Sequence, residues 1–340
     1  MSGGVDSSVA AFLLKNQGHE VIGIFMKNWE DTDNKACSAY EDYEDVLSVG
    51  SQLNIPIYSF NFSTNYFDSV FTNFIDELKN GYTPNPDILC NREIKFKVLL
   101  KNALELGVDY LATGHYARIS HDYNLLKSVD GNKDQTYFLY TLKQDILRKI
   151  LFPIGEYIKS DIRKIAKDAN LINHNKKDST GICFIGKRKF PDFIKKYISP
   201  QKGLFKTPCG KIVGEHDGVW NYTIGQRKGM CIGGNGDAWF VVSKDVKTSD
   251  IIVVQGENHP LLFSNSLTAS DLSWVESPPT LPFNCLAKIR YRQTEQNCTI
   301  KKSENGIAQV IFENPQRAIT SRQSIVFYND NICIGGGLIC

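Results

Sequence analysis

Up to Ile198 this chain alternates helical periodicity with short apolar runs, and after Pro200 the helical periodicity stops. That switch limits the possible architectures more than any other feature. Val9 to Lys15 carries a helical pattern and Glu20 to Met26 a buried-strand run. Tyr43 to Leu53 is helical again, and Pro56 to Phe60 is strand-like. Helical patterns return at Tyr66–Lys79 and Ile94–Leu106, a strand at Tyr110–Thr113, and helices at Ser160–Ala169 and Phe190–Ile198. Such alternation predicts an α/β domain, a parallel sheet covered on both faces, whose ligands gather at the carboxyl ends of its strands. Beyond Pro200, Gly, Pro, Asn and β-branched runs such as Trp239–Val242 and Ile251–Val254 predict an all-β half. Turn punctuation at Asn258–Pro260 and at Pro278-Pro279 divides that half into two small β-domains. The expected organisation is an α/β catalytic domain over 1–199, a β-rich domain over 200–265 and a β-barrel-like domain over 266–340.

Composition sets outer limits. A length of 340 residues exceeds one ordinary core. A net charge of +2 decides nothing about nucleic acid, because a local basic patch binds phosphates on a near-neutral protein. No run reaches the ~18–20 apolar residues of a membrane span, and the start lacks the basic and apolar parts of a secretory signal. A cytoplasmic protein with no membrane association is expected. The nine cysteines are odd in number, widely spaced and without a Cys-x-x-Cys pair. Neither a disulfide framework nor a zinc ribbon fits, no metal site is expected, and most of the cysteines should be buried small hydrophobes.

Ser2-Gly3-Gly4-Val5-Asp6-Ser7-Ser8 opens directly into the first helix. The glycines allow close backbone approach, the serines supply hydroxyls and a cap, and the N–H groups of a helix N-terminus form an anion site. A Gly-Lys-Ser/Thr ending is absent, so this is not the usual P-loop. A simple helix cap would explain Gly and Ser but not Asp6 within this hexapeptide.

Two cysteines sit in unusual settings. Thr83-Pro84-Asn85-Pro86-Asp87-Ile88-Leu89-Cys90 reads as a proline-kinked loop, with Cys90 just before a helix. There the helix dipole and Arg92 or Lys95 would lower a thiol pKa, and Asp87 could handle protons at the same centre. A buried cysteine in a turn is the competing reading. Cys183 lies in Asp178-Ser179-Thr180-Gly181-Ile182-Cys183, a stretch that could be a plain strand. After it comes a basic patch, Lys187-Arg188-Lys189 and Lys195-Lys196, with Phe190 and Phe193 between. Such a run is either a solvated face or a grip on RNA phosphates.

Taken together these segments resemble the tRNA-specific 2-thiouridylase family of the PP-loop ATP pyrophosphatase superfamily, over nearly the whole chain. The matching stretches are Ser2–Ser8, Asn85–Phe96, Gly114–Arg118, Lys133–Leu139, Ser179–Gly186, Tyr222–Gly229 and Arg290–Gln293. The resemblance implies that Cys90 is the nucleophile and Cys183 the carrier of a persulfide, the two forming a disulfide during turnover. It implies that Asn85, Pro86 and Asp87 contact the target base. Ser2, Gly3, Gly4, Val5, Asp6, Ser7 and Ser8, with Met26 and Gly114, would bind ATP with Mg²⁺. Contacts to tRNA would come from His115, Lys133, Asp134, Gln135, Arg290, Tyr291 and Gln323. By itself His115 reads as a satisfied structural histidine. In the family a hydrophobic strand leads into the glycine loop; this sequence begins at Met1 without one, so a first strand is expected to be missing from the sheet.

The implied reaction adenylates the C2 oxygen of a wobble uridine in lysine, glutamate or glutamine tRNA, turning a poor leaving group into AMP. Sulfur then arrives by direct persulfide attack or as released sulfide, and the residues do not choose between these routes. Partners would be tRNA and a sulfur-relay protein or cysteine desulfurase, acting on a monomer. Three rivals make distinct claims: an amide-forming PP-loop ligase indifferent to Cys90 and Cys183, an iron–sulfur enzyme using Cys90 and Cys183 with or without Asp87, and a catalytically dead RNA-binding protein.

Overall fold

The computed structural model describes residues 1–30, 38–178, 185, 188–304 and 306–340. Helix α1 (Val5–Asn16) begins inside the glycine loop, earlier than the apolar periodicity from Val9 suggests. The reason is Gly4, whose extended backbone makes it the N-cap, so that Val5 already turns inward. Val5, Val9, Ala10 and Ala11 pack against Val49 and Leu53 of α2 (Ser38–Leu53), and against Ile162 and Ala166 of the helix Lys159–Asp168.

The α/β part contains β1 (Gly23–Lys27), β2 (Ile57–Asn61), β3 (Leu111–Ala112), the hairpin β4 (Ala117–Ile119) and β5 (Leu125–Lys127), and β6 (Ile150–Leu151). The parallel pairing expected from the sequence is present as two separate pairs, β1 with β2 and β3 with β6. Among the described residues no strand joins them. On β1 the Ile24 carbonyl, on the edge away from β2, accepts a hydrogen bond from the main-chain nitrogen of Met1. Helical turns run over 63–79 and over 86–105; each contains a π-helical stretch, Phe67–Phe71 in the first and Cys90–Leu99 in the second.

After Ile198 the described chain has no helix beyond single 3₁₀ turns. Strands β7 (Gly203–Lys206), β8 (Ile212–His216), β9 (Trp239–Asp245) and β10 (Asp250–Gln255) form one sheet in the order β8-β7-β10-β9. Phe205, Val241, Ile251 and Val253 make its core. Six more strands follow: β11 (Phe263–Trp274), β12 (Phe283–Lys288), β13 (Gln296–Glu304), β14 (Ile307–Arg317), β15 (Ser324–Asn329) and β16 (Ile332–Ile339). They run β11-β14-β13-β12-β15-β16, and β16 pairs back onto β11, which closes a barrel and removes its free edges. Along β14, Ala308, Val310 and Phe312 point inward while Gln309, Ile311 and Glu313 face out, the period of two that a filled barrel requires. Asn258–Pro260 falls between sheet and barrel, whereas Pro278-Pro279 falls inside the barrel, between β11 and β12.

Two features bind these parts into one body. Strand β5 pairs with β16, Leu125 opposite Cys333 and Leu126 opposite Ile332, so a hairpin of the α/β part extends the barrel's sheet. One core cluster also runs from Ile24, Phe74 and Ile94 through Tyr137 and Tyr140 to Trp220, Val326, Tyr328 and Cys333. Cys298 and Cys333 are buried, but Cys209, Cys231 and Cys340 are exposed, at loops and a strand end where no core forms around them.

Candidate active site

The glycine loop folds on itself. Ser2 N–H donates to Ser7 Oγ at 3.2 Å, and the Ser7 and Ser8 hydroxyls both donate to the Gly4 carbonyl, at 3.1 and 3.0 Å. Because its N-cap is Gly4, α1 has no side-chain cap, and its leading N–H groups are left for an anion. Gly3 has φ +73°, and a Cβ there would stand 2.5 Å from the Asp42 carbonyl oxygen. Gly114 lies against the start of α1, where an added Cβ would come within 2.8 Å of the Asp6 carbonyl carbon and the Ser7 nitrogen. Both glycines are therefore needed for close approach of backbone to backbone. Met26, at the carboxyl end of β1, is half-buried against the main core.

Charged groups surround Asp6. Lys159 Nζ lies 2.7 and 2.9 Å from its two carboxylate oxygens, and Tyr116 donates its hydroxyl to Oδ1 at 2.9 Å. Lys159 also reaches Asp178 at 2.8 Å, as do Lys133 and Arg163. Partial burial would raise the Asp178 carboxyl, but hydrogen bonds and charge from Lys133 and Lys159 outweigh it and bring its pKa to about 2. Asn173, buried, donates to the Gly3 carbonyl and to Ser8 Oγ, both at 2.9 Å, and its Oδ1 has no protein partner. Lys159 and Asn173 went unmarked in the sequence; nothing in their local pattern separates them from surface lysines and turn asparagines.

Cys90 stands inside a helix, not before one. The helix starts at Pro86, because Asn85 caps it by accepting the Asp87 N–H at 3.1 Å, and Pro occupies the first turn. Cys90 is buried at 6% exposure and opens the π-helical stretch. Arg92 is engaged with Glu93 at 2.9 Å and Asp271 at 3.3 Å, and Lys95 donates to Asn91 Oδ1 at 2.9 Å. Asp87 is reachable by water at the head of the helix; the surrounding protein still raises its carboxyl pKa, with Lys95 opposing. That suits a proton-handling group. Next to Gly114, His115 sits between Phe96 and Phe152 with ring centroids 5.8 and 6.0 Å away, and shares a 2.8 Å hydrogen bond with Thr113. Burial, aided by Lys95, drives its pKa well below the usual value and keeps it neutral. Gly114-His115 thus touches the glycine loop with one residue and the Cys90 helix with the next. Cys183 lies outside the described residues.

Comparison with known proteins gives matches along the whole chain. Residues 1–187 match the family described as tRNA methyl transferase HUP domain, 191–255 the tRNA methyl transferase PRC-barrel domain, and 264–339 the aminomethyltransferase beta-barrel domain. The tRNA-specific 2-thiouridylase MnmA of Protochlamydia amoebophila is 57% identical over 344 residues, covering 100% of this chain and 92% of that protein. MnmA 2 of Geobacillus kaustophilus is 54% identical, covering 100% and 93%. This chain belongs to the tRNA-specific 2-thiouridylase family. Among solved structures, the U34-tRNA thiolase NcsA from Methanococcus maripaludis with its 4Fe–4S cluster aligns with a TM-score of 0.36 and 19% identity, over 58% of this chain and 61% of that one.

Of the residues that the family resemblance assigned to tRNA, Lys133, Asp134, Arg290, Tyr291 and Gln323 stand at junctions between the chain's parts, whereas His115 and Gln135 are bonded within the α/β part. Lys133 carries its ammonium to Asp178, and its carbonyl accepts from the Tyr291 hydroxyl at 3.4 Å. Asp134 is buried; burial raises its pKa, while bonds from Thr136 at 2.7 Å and Ser128 at 3.2 Å oppose the shift. Gln135 Oε1 accepts the Tyr116 N–H at 2.9 Å. Arg290 donates to the carbonyls of Ile224 and Ala318, tying the middle sheet's Tyr222–Gly229 segment to the barrel. Gln323 donates to the Thr83 carbonyl. Thr83 Oγ1 also meets Thr223 Oγ1 at 3.5 Å, so barrel and middle sheet both hold the segment leading to Cys90. In the basic patch, Phe193 is buried and Phe190 packs edge-on to Phe74, which makes these rings core rather than stacking platforms.

Proposed function

We propose that this chain adenylates the C2 oxygen of the wobble uridine in lysine, glutamate and glutamine tRNAs and replaces it with sulfur carried on Cys183. As a member of its family it is a tRNA 2-thiouridylase that uses ATP; the acceptors, the persulfide and the residue roles are the proposal. The observation that carries it is the Gly114-His115 link, which places the anion-ready head of α1 and the helix bearing Cys90 on two sides of one dipeptide.

The groups divide the work as follows. ATP is a substrate, and Ser2–Ser8, Met26 and Gly114 take it, the N–H groups of α1 receiving the departing pyrophosphate. Mg²⁺ would neutralise the phosphates; the loop's carboxylate, Asp6, is a hard oxygen donor that here stands 2.7 and 2.9 Å from Lys159 Nζ. Asn85, Pro86 and Asp87 receive a uridine taken out of its stack, and His115, Lys133–Gln135, Arg290, Tyr291 and Gln323 serve the tRNA. Attack of the uridine O2 on the α-phosphate of ATP breaks the bond to pyrophosphate. The terminal sulfur of the Cys183 persulfide then attacks C2 and AMP leaves with the original oxygen. Cys90 attacks the Cys183 sulfur, releasing the 2-thiouridine and leaving a Cys90–Cys183 disulfide, which a dithiol reduces. Alternatively Cys90 attacks the persulfide first, forming the same disulfide and a hydrosulfide that attacks C2. The division into 1–199, 200–265 and 266–340 gives the first unit the chemistry and the other two the bracing of the tRNA. A persulfide-relay protein or cysteine desulfurase supplies the sulfur to a monomer in the cytoplasm, where tRNA resides. No described helix is long and apolar enough to cross a membrane.

Isotope tracing tests the adenylation. With ¹⁸O at uridine C2, the label should appear in the AMP phosphate, one equivalent per thiouridine. Label released as water or hydroxide instead rules out an adenylated C2 oxygen.

A further inference from the structure

A strained turn of the barrel holds the approach to Cys90. Residues 318–323 join β14 to β15, and two non-glycine residues there, Ala318 at φ +55° and Arg322 at φ +67°, take up left-handed backbone. Side chains rarely adopt that region, and it persists where surrounding contacts over-determine it. Here they do. Ala318 N–H donates to the Leu262 carbonyl at 2.6 Å, its carbonyl accepts from Arg290 at 2.7 Å, and Arg322 N–H donates to the Ile339 carbonyl at 2.8 Å.

Held this way, the turn projects two side chains towards the α/β part. Gln323 reaches the Thr83 carbonyl. Arg322 Nε stands 3.3 Å from Glu77 Oε1, and its guanidinium lies 5.4 Å from the centre of the Tyr82 ring. Glu77, Tyr82 and Thr83 are successive points on the path to the Asn85 cap. From the other side, Arg92 of the Cys90 helix reaches Asp271 of β11 at 3.3 Å. One arginine from each part thus crosses the same cleft of about 390 Å³, lined by Glu77, Asn85, Arg92, Asp271 and Arg322 among others.

We propose that Arg322 and Glu77 are a positioning pair that fixes the Cys90 segment against the barrel for sulfur transfer. A guanidinium already committed to a carboxylate and a ring is poorly placed to serve as a phosphate grip. Partly exposed ion pairs also contribute little to global stability, so a stability role leaves the strained turn without a purpose. Placement is another matter: a small displacement of Asn85, Asp87 and Cys90 is felt in the rate of the chemical step. The proposal rests on the thiolation reading.

The test uses the full chain with unmodified tRNA, MgATP and a sulfide donor, comparing wild type, Arg322→Ala, Arg322→Lys and Glu77→Gln. The rate of 2-thiouridine formation at saturating tRNA should fall about tenfold or more in Arg322→Ala and Glu77→Gln. Affinity for tRNA should stay within about threefold, and Arg322→Lys, which keeps the charge and the ring contact, should recover most of the rate. Amide hydrogen exchange across 82–90 should quicken in both impaired variants. Rates unchanged in both variants, or a loss confined to tRNA affinity, would overturn the positioning role. A wild type that makes no 2-thiouridine would instead sink the thiolation reading, and unchanged exchange across 82–90 would then still decide against the pair.

Discussion

Gly114 shows how narrowly single residues are specified here. A methyl group at this position meets two main-chain atoms of the loop at 2.8 Å, and neither can swing aside as a side chain could. Gly114→Ala should strain the contact by about 1–3 kcal/mol, and titration calorimetry should show weaker ATP binding. Unchanged affinity would mean that the loop is placed by other contacts. Asn85 makes a separate case. Its side chain caps the Cys90 helix, so Asn85→Ala should cost about 1 kcal/mol in thermal unfolding while Asn85→Asp, which keeps the acceptor, should cost far less. The signal is local, since Asn followed by Pro marks a helix start, yet the stretch was expected as a proline-kinked loop. Cys90 was expected before the helix, because apolar periodicity resumes only near Ile94 and the ten-residue π-helical stretch Cys90–Leu99 departs from the 3.6-residue period.

Among the elements, α1 and the helix Lys159–Asp168 are joined by charge, through Lys159 between Asp6 and Asp178. Asp178 has a folded pKa of about 2, below its ordinary 3.8. Its stabilising effect is therefore fully present above about pH 4 and is lost as pH falls through about 2. Melting temperatures of Asp178→Asn should depend less on pH across that window than those of the wild type, by a modest amount because the side chain is a third exposed. Identical slopes would show that the network does not hold in solution. Asp6 was marked by its loop, but its partners could not be read from the chain, since Lys159 lies 153 residues away and neither it nor Asp178 carries a distinctive local pattern. The hairpin β4–β5 escaped for a related reason: its strands have three residues each, and their partner is β16 at the far end of the chain.

For the whole molecule, the change of texture near Pro200 did report the passage from α/β to all-β structure, because period-2 and helical patterning are local properties. A β-barrel-like domain over 266–340 was expected and is present, but the strand order that closes it and the shared core were hidden, since both depend on pairings across the chain. That shared core, from Phe74 and Ile94 through Tyr137 and Tyr140 to Tyr328, should make the chain unfold in one calorimetric transition; two resolved transitions would show that the parts are energetically independent. On the reading proposed above, the same architecture would let the glycine loop, the Cys90 segment and the barrel act on one substrate. The decisive measurement is mass spectrometry of digested tRNA after incubation with the full chain, MgATP and a sulfide donor. The account expects 2-thiouridine at the wobble position with wild type and none with Cys90→Ala. Thiouridine made equally well by Cys90→Ala, or none made by a wild type that binds ATP and tRNA, would contradict it.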